Sequence, residues 1–355
     1  MNNKPVPTAI DHLAALTGYR DRDLLDVTLA HALMDLLTPW GVAVYKLVGD
    51  EGDQRWLLRA RLDSGQPTAV SDPPWVGFEA LPGREELAHL DESLRTQTVI
   101  SVLPDDEDDP ESLMTTVFPL VAEGDALGVV EVQSSEKLTA SMKRTVCSIL
   151  RIYRNFHGLL DYSERDTLTG LLNRKTFDEA FLKTAHEGAA SLSESGDDRR
   201  HGGVGPVKHW LGVVDIDHFK QVNDRFGHLI GDEVLLLVAR ILRSTFRFQD
   251  RLYRFGGEEF VVLLRCSDEA DAAHAFERLR SNMEAYVFPQ VGHVTASVGF
   301  TQVLPTDAPS GAFERADRAV YYAKQNGRNR VCGHEALVRE GKLRLDDKVG
   351  DVELF

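Results

Sequence analysis

Two short runs in the second half of the chain place carboxylates where the backbone must be tight. In His209-Trp-Leu-Gly-Val-Val-Asp215-Ile-Asp217-His-Phe219-Lys220, an apolar run of strand length ends in two acids and is followed by a helix start. Alternation along a strand puts Leu211, Val213 and Asp215 on one face. A carboxylate at a strand end beside a helix start is placed to hold a metal ion, and buried there without a cation it would be costly. Taken alone, such an Asp serves equally as a turn or cap residue. In Arg251-Leu-Tyr-Arg-Phe-Gly256-Gly257-Glu258-Glu259-Phe260, two strands flank Gly-Gly, a tight-hairpin signal because glycine tolerates positive φ. Glu258 and Glu259 then sit side by side, repel one another and favour a cation; taken alone, the pair also reads as an exposed turn.

These side chains need a sheet with helices to hold them. Apolar periodicity predicts strands near 209–216, 251–255, 258–265 and 293–301, and helices near 219–224, 231–246, 269–286 and 312–326. Helix 231–246 gathers Val234, Leu235, Val238, Ile241 and Leu242 on one side. Residues 187–208, rich in Gly, Ser and charge, read as a surface loop inside this domain.

The first half is organised differently. Residues 10–37 read as helical, with Leu24, Val27, Leu33, Met34 and Leu37 as apolar positions. Strands are expected at 42–48, 56–62, 116–120 and 127–133, with an irregular Pro-rich stretch between the pairs and a solvated acidic loop at 105–110. Leu138, Met142, Thr145, Ile149, Ile152, Phe156 and Leu159 are spaced as a heptad seam, imperfect only at Thr145. That pattern fits either a helix packed on its own domain or a parallel stalk joining two copies. Trp40, Trp56 and Trp75 read as core aromatics.

Composition narrows the function classes. The 355 residues carry a formal net charge of −16, with 43% hydrophobic and 27% charged residues. That balance is expected of a globular protein of two or three domains and disfavours broad attraction to nucleic acid or an anionic membrane. An anionic substrate would need local cations or metal ions. No run reaches the length of a membrane span, and the N-terminus lacks the apolar centre of a signal peptide. Cys147, Cys266 and Cys332 lack metal-ligand spacing, as expected of reduced thiols in a cytoplasmic protein.

Four motifs together resemble one family. GGEEF at 256–260 is similar to the signature of the GGDEF family of diguanylate cyclases, in its GGEEF form. DTLTGLLNR at 166–174 resembles that domain's entry motif, DIDHFKQVNDRFGHLIGDEVL at 215–235 its metal and nucleotide segment, and AVYYAKQNGRNRV at 319–331 its closing helix and strand. The resemblance covers about residues 160–333. It implies an α+β / α/β fold with a palm-like βαββαβ core, and the condensation of two GTP into cyclic dimeric GMP with release of two pyrophosphates. It also implies Asp215, Glu258 and the Ile216 carbonyl as ligands of Mg2+ (or Mn2+), Lys220 as a catalytic cation, and Glu259 as the acid that helps deprotonate the attacking 3′-hydroxyl or binds a second metal. Asn223, His228 and Asp232 match nucleotide-recognising positions; Lys220, Lys324 and Arg328 match phosphate-binding positions, with Phe219 adding backbone amides.

Asp232 adds a physical argument to that match. A carboxylate can accept both N1–H and the 2-amino group of guanine, and adenine offers neither donor on that edge. A site that buries such an acceptor rejects the analogue by about 10⁴-fold in favourable cases. As a plain structural residue, Asp232 would be a helix N-terminal acid.

Arg247-Phe-Gln-Asp250 has the RxxD spacing of the family's product-inhibition site, with Arg278 as a further partner. Ring closure needs two GTP-loaded domains facing one another, so the resemblance implies a homodimer, with cyclic dimeric GMP as both product and inhibitor. The αββ…ββα layout over about residues 20–160 and the hairpin TVFPLVAEGDALGVVEVQ resemble a GAF-type sensory domain, implying an unidentified small-molecule or protein signal. The expected organisation is a GAF-like domain at 1–136, a connecting helix at 137–165, the cyclase domain at 166–335 and a tail at 336–355. Two other readings are a domain that binds GTP or cyclic dimeric GMP without turnover, and a different dinucleotide synthase of the same fold. Neither explains the full set of acids and cations as well.

Overall fold

The computed structural model describes residues 9–18, 22–50, 52–73, 76–103, 113–122, 125–182 and 208–344. The chain divides into two units, Met1–Ser163 and Glu164–Phe355. The acidic run 105–110, Trp75, nearly all of the loop 187–208 and residues 345–355 lie outside the described residues.

In the first unit, alternating apolar residues build a five-stranded antiparallel sheet in the order β2-β1-β5-β4-β3. Its strands are β1 (Gly41–Asp50), β2 (Asp53–Asp63), β3 (Ile100–Val102), β4 (Met114–Ala122) and β5 (Asp125–Ser134). The strand pattern predicted four of these; β3, too short to show periodicity, came from the stretch read as irregular. The expected single helix over 10–37 is two, α1 (Ala9–Gly18) and α2 (Arg22–Leu37). Leu25, Leu29, Leu33 and Leu37 of α2 are buried, and Leu24 is exposed. They pack on Val42, Val44, Ala60, Leu62, Phe118 and Val130, while α3 (Ala88–Thr96) covers the opposite face through Leu90 and Leu94 against Trp56, Val117 and Val129. Trp56 is fully buried, whereas Trp40 is 57% exposed and is no core residue.

Helix α4 (Ala140–Glu164) packs on its own unit's sheet through Val146, Ile149, Leu150, Tyr153, His157 and Leu160. The expected seam shares only Leu138 and Ile149 with the buried set; Thr145 is exposed and Leu159 is 65% exposed. The apolar residues of α4 form a stripe wider than one seam, and the sheet takes the side adjacent to the heptad positions. Polar contacts fix the choice. Tyr153 donates its phenol hydrogen to buried Asp26, which also accepts from Arg59 Nε at 2.9 Å. Arg22 reaches His157 Nε2 at 2.9 Å and Asp161 Oδ1 at 2.8 Å.

The second unit is a six-stranded mixed sheet in the order β13-β12-β7-β9-β8-β6. It is built from β6 (Leu172–Asn173), helix α5 (174–182), β7 (Lys208–Ile216), α6 (Phe219–Phe226), α7 (His228–Thr245), β8 (Arg251–Gly256), β9 (Glu259–Cys266), α8 (Glu269–Ala285), β12 (Ala296–Val303), α9 (Pro309–Gln325) and β13 (Val331–Gly333), with a small hairpin of β10 (Val287–Phe288) and β11 (Gly292–His293). Period-2 alternation on β7 divides two cores. Trp210, Val214 and Ile216 pack with α6, α7 and α8 through Phe219, Val222, Val234, Val238, Phe276 and Leu279. Leu211 and Val213 face Phe177, Phe181, Ala312, Ala316 and Val320 from α5 and α9. Each fully buried Leu or Phe contributes about 1.5–3 kcal/mol.

Two boundaries differ from expectation. Helix α7 begins at His228, so Gly231 and Asp232 lie within it and Asp232 is not a helix-start acid. The residues beyond 335 are not all tail: α10 (His334–Arg339) buries Leu337 against Ala319, Ala323 and Cys332.

Candidate active site

The site forms where β7 and β9 end beside the β8–β9 turn. Asp215 lies directly across from Glu259 in the antiparallel register, and Gly256 pairs with Glu259 to close the hairpin. Gly256 (φ 136°) and Gly257 (φ 50°) both take the left-handed side that the sequence demanded, which leaves Glu258 at the turn. Like charges directly opposed across strands are unfavourable, and here three carboxylates gather.

Their electrostatics show an unmet need for positive charge. Asp215 is buried, and its Oδ2 lies 2.7 Å from Lys324 Nζ. Its Oδ1 is buried with no hydrogen-bond partner among the described residues. Burial raises the Asp215 carboxyl above its ordinary range despite the opposing pull of Lys324. Burial, then the charges of Asp215 and Glu259, push Glu258 up to about 7. Glu259 is raised by burial and then by Asp215 and Asp317.

Asp317 is a fourth acid that the motif comparison passed over. It lies on α9 seven residues before Lys324, two helical turns and therefore the same face, and that spacing was the available signal. Among the described residues no group of three or more His, Cys, Asp or Glu side chains is arranged to hold a metal ion. The expected ligand set is smaller, two carboxylates and a backbone carbonyl. An orphaned carboxylate oxygen amid hard oxygen donors, with Lys324 as the ion-pair partner of Asp215, fits a divalent cation of the Mg2+ type.

On the side of the expected nucleotide contacts, α6 starts after His218 (φ 59°) with no side-chain cap; the Gln221 N–H bonds the His218 carbonyl at 2.9 Å, and the Phe219 and Lys220 amides lead the helix where an anion is favoured. Phe219 anchors this helix in the core and Lys220 is exposed. Asn223 leans on α7: a Cβ at Gly231 would stand 1.9 Å from Asn223 Oδ1. The structure thus brings Asn223 against the turn that carries exposed His228 and Asp232. Lys324, matched to a phosphate position, is engaged by Asp215, while Arg328 is exposed with φ 58°.

The entry motif is tied to the turn by a pairing the sequence did not disclose. Asp166 accepts from the Thr169 backbone N–H and hydroxyl and from Arg254 Nη1 at 2.9 Å. The same guanidinium donates to the Gly257 carbonyl through Nη2 at 2.9 Å. These contacts hold Asp166 below the usual carboxylate range despite its burial.

Around the turn between α7 and β8, Asp250 Oδ2 accepts the Arg247 backbone N–H at 2.9 Å, and Arg278 donates to the Thr245 carbonyl at 2.9 Å. Burial raises Asp250, opposed by Arg247 and Arg278. The three residues of the expected inhibitory site therefore share one locale.

Residues 163–330 match the family model described as "Diguanylate cyclase, GGDEF domain". Diguanylate cyclase DgcP of Pseudomonas aeruginosa is 39% identical over 208 residues, covering 57% of this chain and 29% of that protein. Diguanylate cyclase DgcZ of Escherichia coli is 35% identical over 171 residues, covering 47% of this chain and 52% of that protein. The chain therefore spans about a third to half the length of these relatives. The solved GGDEF domain of DgcB from Caulobacter crescentus in complex with c-di-GMP aligns at 31% identity over 48% of this chain and 96% of that one, with a TM-score of 0.43. Residues 163–330 are a GGDEF domain of the diguanylate cyclase family.

Proposed function

We propose that the chain is a diguanylate cyclase that joins two GTP into 3′,5′-cyclic dimeric GMP and releases two pyrophosphates. The observation that carries this reading is the buried, unpartnered Oδ1 of Asp215 beside Glu258 and Glu259, a cation site at the edge of a nucleotide-binding surface. Asp215, Glu258 and the Ile216 carbonyl would hold Mg2+ (Mn2+ offers the same chemistry), which when bound neutralises phosphoryl charge and lowers the pKa of the attacking hydroxyl. Glu259, opposite Asp215 and raised above its ordinary range by burial and then by Asp215 and Asp317, is suited to take the 3′-hydroxyl proton. Lys220, Lys324, Arg328 and the Phe219 amide gather the triphosphate, and Asn223, Asp232 and His228 read the base.

One domain holds one GTP, so the ring closes only between two domains related by a two-fold axis, and the working enzyme is a homodimer. Arg247, Asp250 and Arg278 form the site through which cyclic dimeric GMP inhibits. The first unit is a GAF-like sensor for an unidentified signal; its strand order 2-1-5-4-3 with helices on both faces supports that assignment.

The test compares nucleotides: the full chain with Mg2+ and either GTP or ATP, products resolved by chromatography. A cyclic guanine dinucleotide from GTP and none from ATP is expected. Equal use of ATP rejects the roles given to Asn223 and Asp232.

A further inference from the structure

Asp217 is the second acid at the end of β7, and the reaction outlined above leaves it without a task. It is buried, yet among the described residues no lysine or arginine is a hydrogen-bond partner of its carboxylate. Oδ1 accepts the Ser297 hydroxyl at 2.7 Å, and Oδ2 accepts the Thr295 hydroxyl at 2.7 Å and the Asn329 backbone N–H at 3.0 Å. The last contact joins residues 112 positions apart.

Asn329 closes an unusual turn after α9. Gly327 (φ 106°), Arg328 (φ 58°) and Asn329 (φ 43°) are three consecutive residues on the left-handed side, two of them with side chains. Such a run persists only where its surroundings hold it. The Arg328 N–H donates to the Ala323 carbonyl at 3.0 Å, and the Asn329 side chain is gripped by Arg280 at 2.9 Å and Glu284 at 2.7 Å. Asp217 supplies the grip on the Asn329 backbone from the sheet side. Arg328 is exposed, at the crest of the turn.

We propose that Asp217 is a positioning residue: by holding the Asn329 N–H it keeps the 327–329 turn left-handed and so presents the Arg328 guanidinium to the triphosphate. The inference rests on the reading of Arg328 as a phosphate contact.

The test is a double-mutant cycle on the full chain, reading KM for GTP and kcat separately, and titrating a non-hydrolysable GTP analogue with Mg2+. Asp217→Asn is expected to raise KM and the analogue's Kd about tenfold, the scale of one charge-assisted contact, with kcat within about twofold. In the Arg328→Ala background the same change should do almost nothing, because the group it positions is gone. A loss of folding would instead add to Arg328→Ala. Should Asp217→Asn not fold, Asn329→Val disfavours the same positive φ with a β-branched side chain and should raise KM in the same Arg328-dependent way. Additive effects, or an unchanged KM in both variants, overturn the inference while leaving the cyclase reading intact. A wild-type chain that binds no GTP analogue removes both.

Discussion

Lys324 Nζ stands 2.7 Å from Asp215 Oδ2, and the other oxygen of that carboxylate is buried without a partner among the described residues. One lysine therefore serves an acid flanked by Glu258, Glu259 and Asp317. Lys324→Ala leaves Asp215 uncompensated. Because the lysine side chain is 34% exposed, the expected cost is about 1–2 kcal/mol rather than that of a fully buried pair. Thermal melting checks this, and Mg2+ should restore more of the Tm in the variant than it adds to the wild type.

Gly231 and Asn223 make a second test. A methyl at 231 would meet Asn223 Oδ1 at 1.9 Å, and that atom ends a flexible side chain. Gly231→Ala should fold with little loss of stability yet displace Asn223 from the base. Steady-state kinetics should show KM for GTP rising about tenfold or more, the scale of a misplaced polar contact. Unchanged KM removes Asn223 from the guanine site.

Arg254 links two motifs, Asp166 of the entry turn and the Gly257 carbonyl of the signature turn. Its two-sided contact depends on the planar fork of a guanidinium. Arg254→Lys should therefore lower kcat about as far as Arg254→Ala. Full rescue by lysine in a turnover assay would reduce the contact to simple charge.

Much of this site was readable in advance. The Gly256-Gly257 turn, the Asp215 strand end and the alternation of Leu211 and Val213 are local consequences of two short patterns, and each element formed where its pattern lay. The pairings that organise the site are not local. Lys324 meets Asp215, Arg254 meets Asp166 and Asn329 meets Asp217 across about a hundred residues, and no spacing encodes which partner a charge will choose. Helix α4 shows the same limit in another form: its apolar stripe exceeds one seam, and Tyr153 and His157, which lie off the heptad positions, are buried against α2 and the sheet.

His209 predicts a pH dependence away from the chemistry. Burial, then Arg265 and Arg251, lower its pKa to about 4 from an ordinary 6.5. The folded state thus prefers the neutral ring, and the unfolded chain binds a proton that the folded one does not between those values. Stability from this group is fully present above about pH 6.5 and lost as pH falls toward 4, by about 2–3 kcal/mol. Denaturant midpoints measured from pH 7 to pH 4 should fall less steeply in His209→Gln.

As proposed above, paired GGDEF domains, each holding a cation on Asp215, Glu258 and the Ile216 carbonyl with Glu259 as the base, close a guanine dinucleotide. Mg2+-dependent turnover of GTP by the full chain at rising protein concentration, counting pyrophosphate and identifying the product, tests this. Two pyrophosphates per cyclic dimeric GMP, a specific rate that grows with concentration as dimers form, and loss of turnover in a folded Glu259→Ala variant are expected. Wild-type rates in Glu259→Ala, or no cyclic product from a chain whose dimerisation has been enforced, would contradict it.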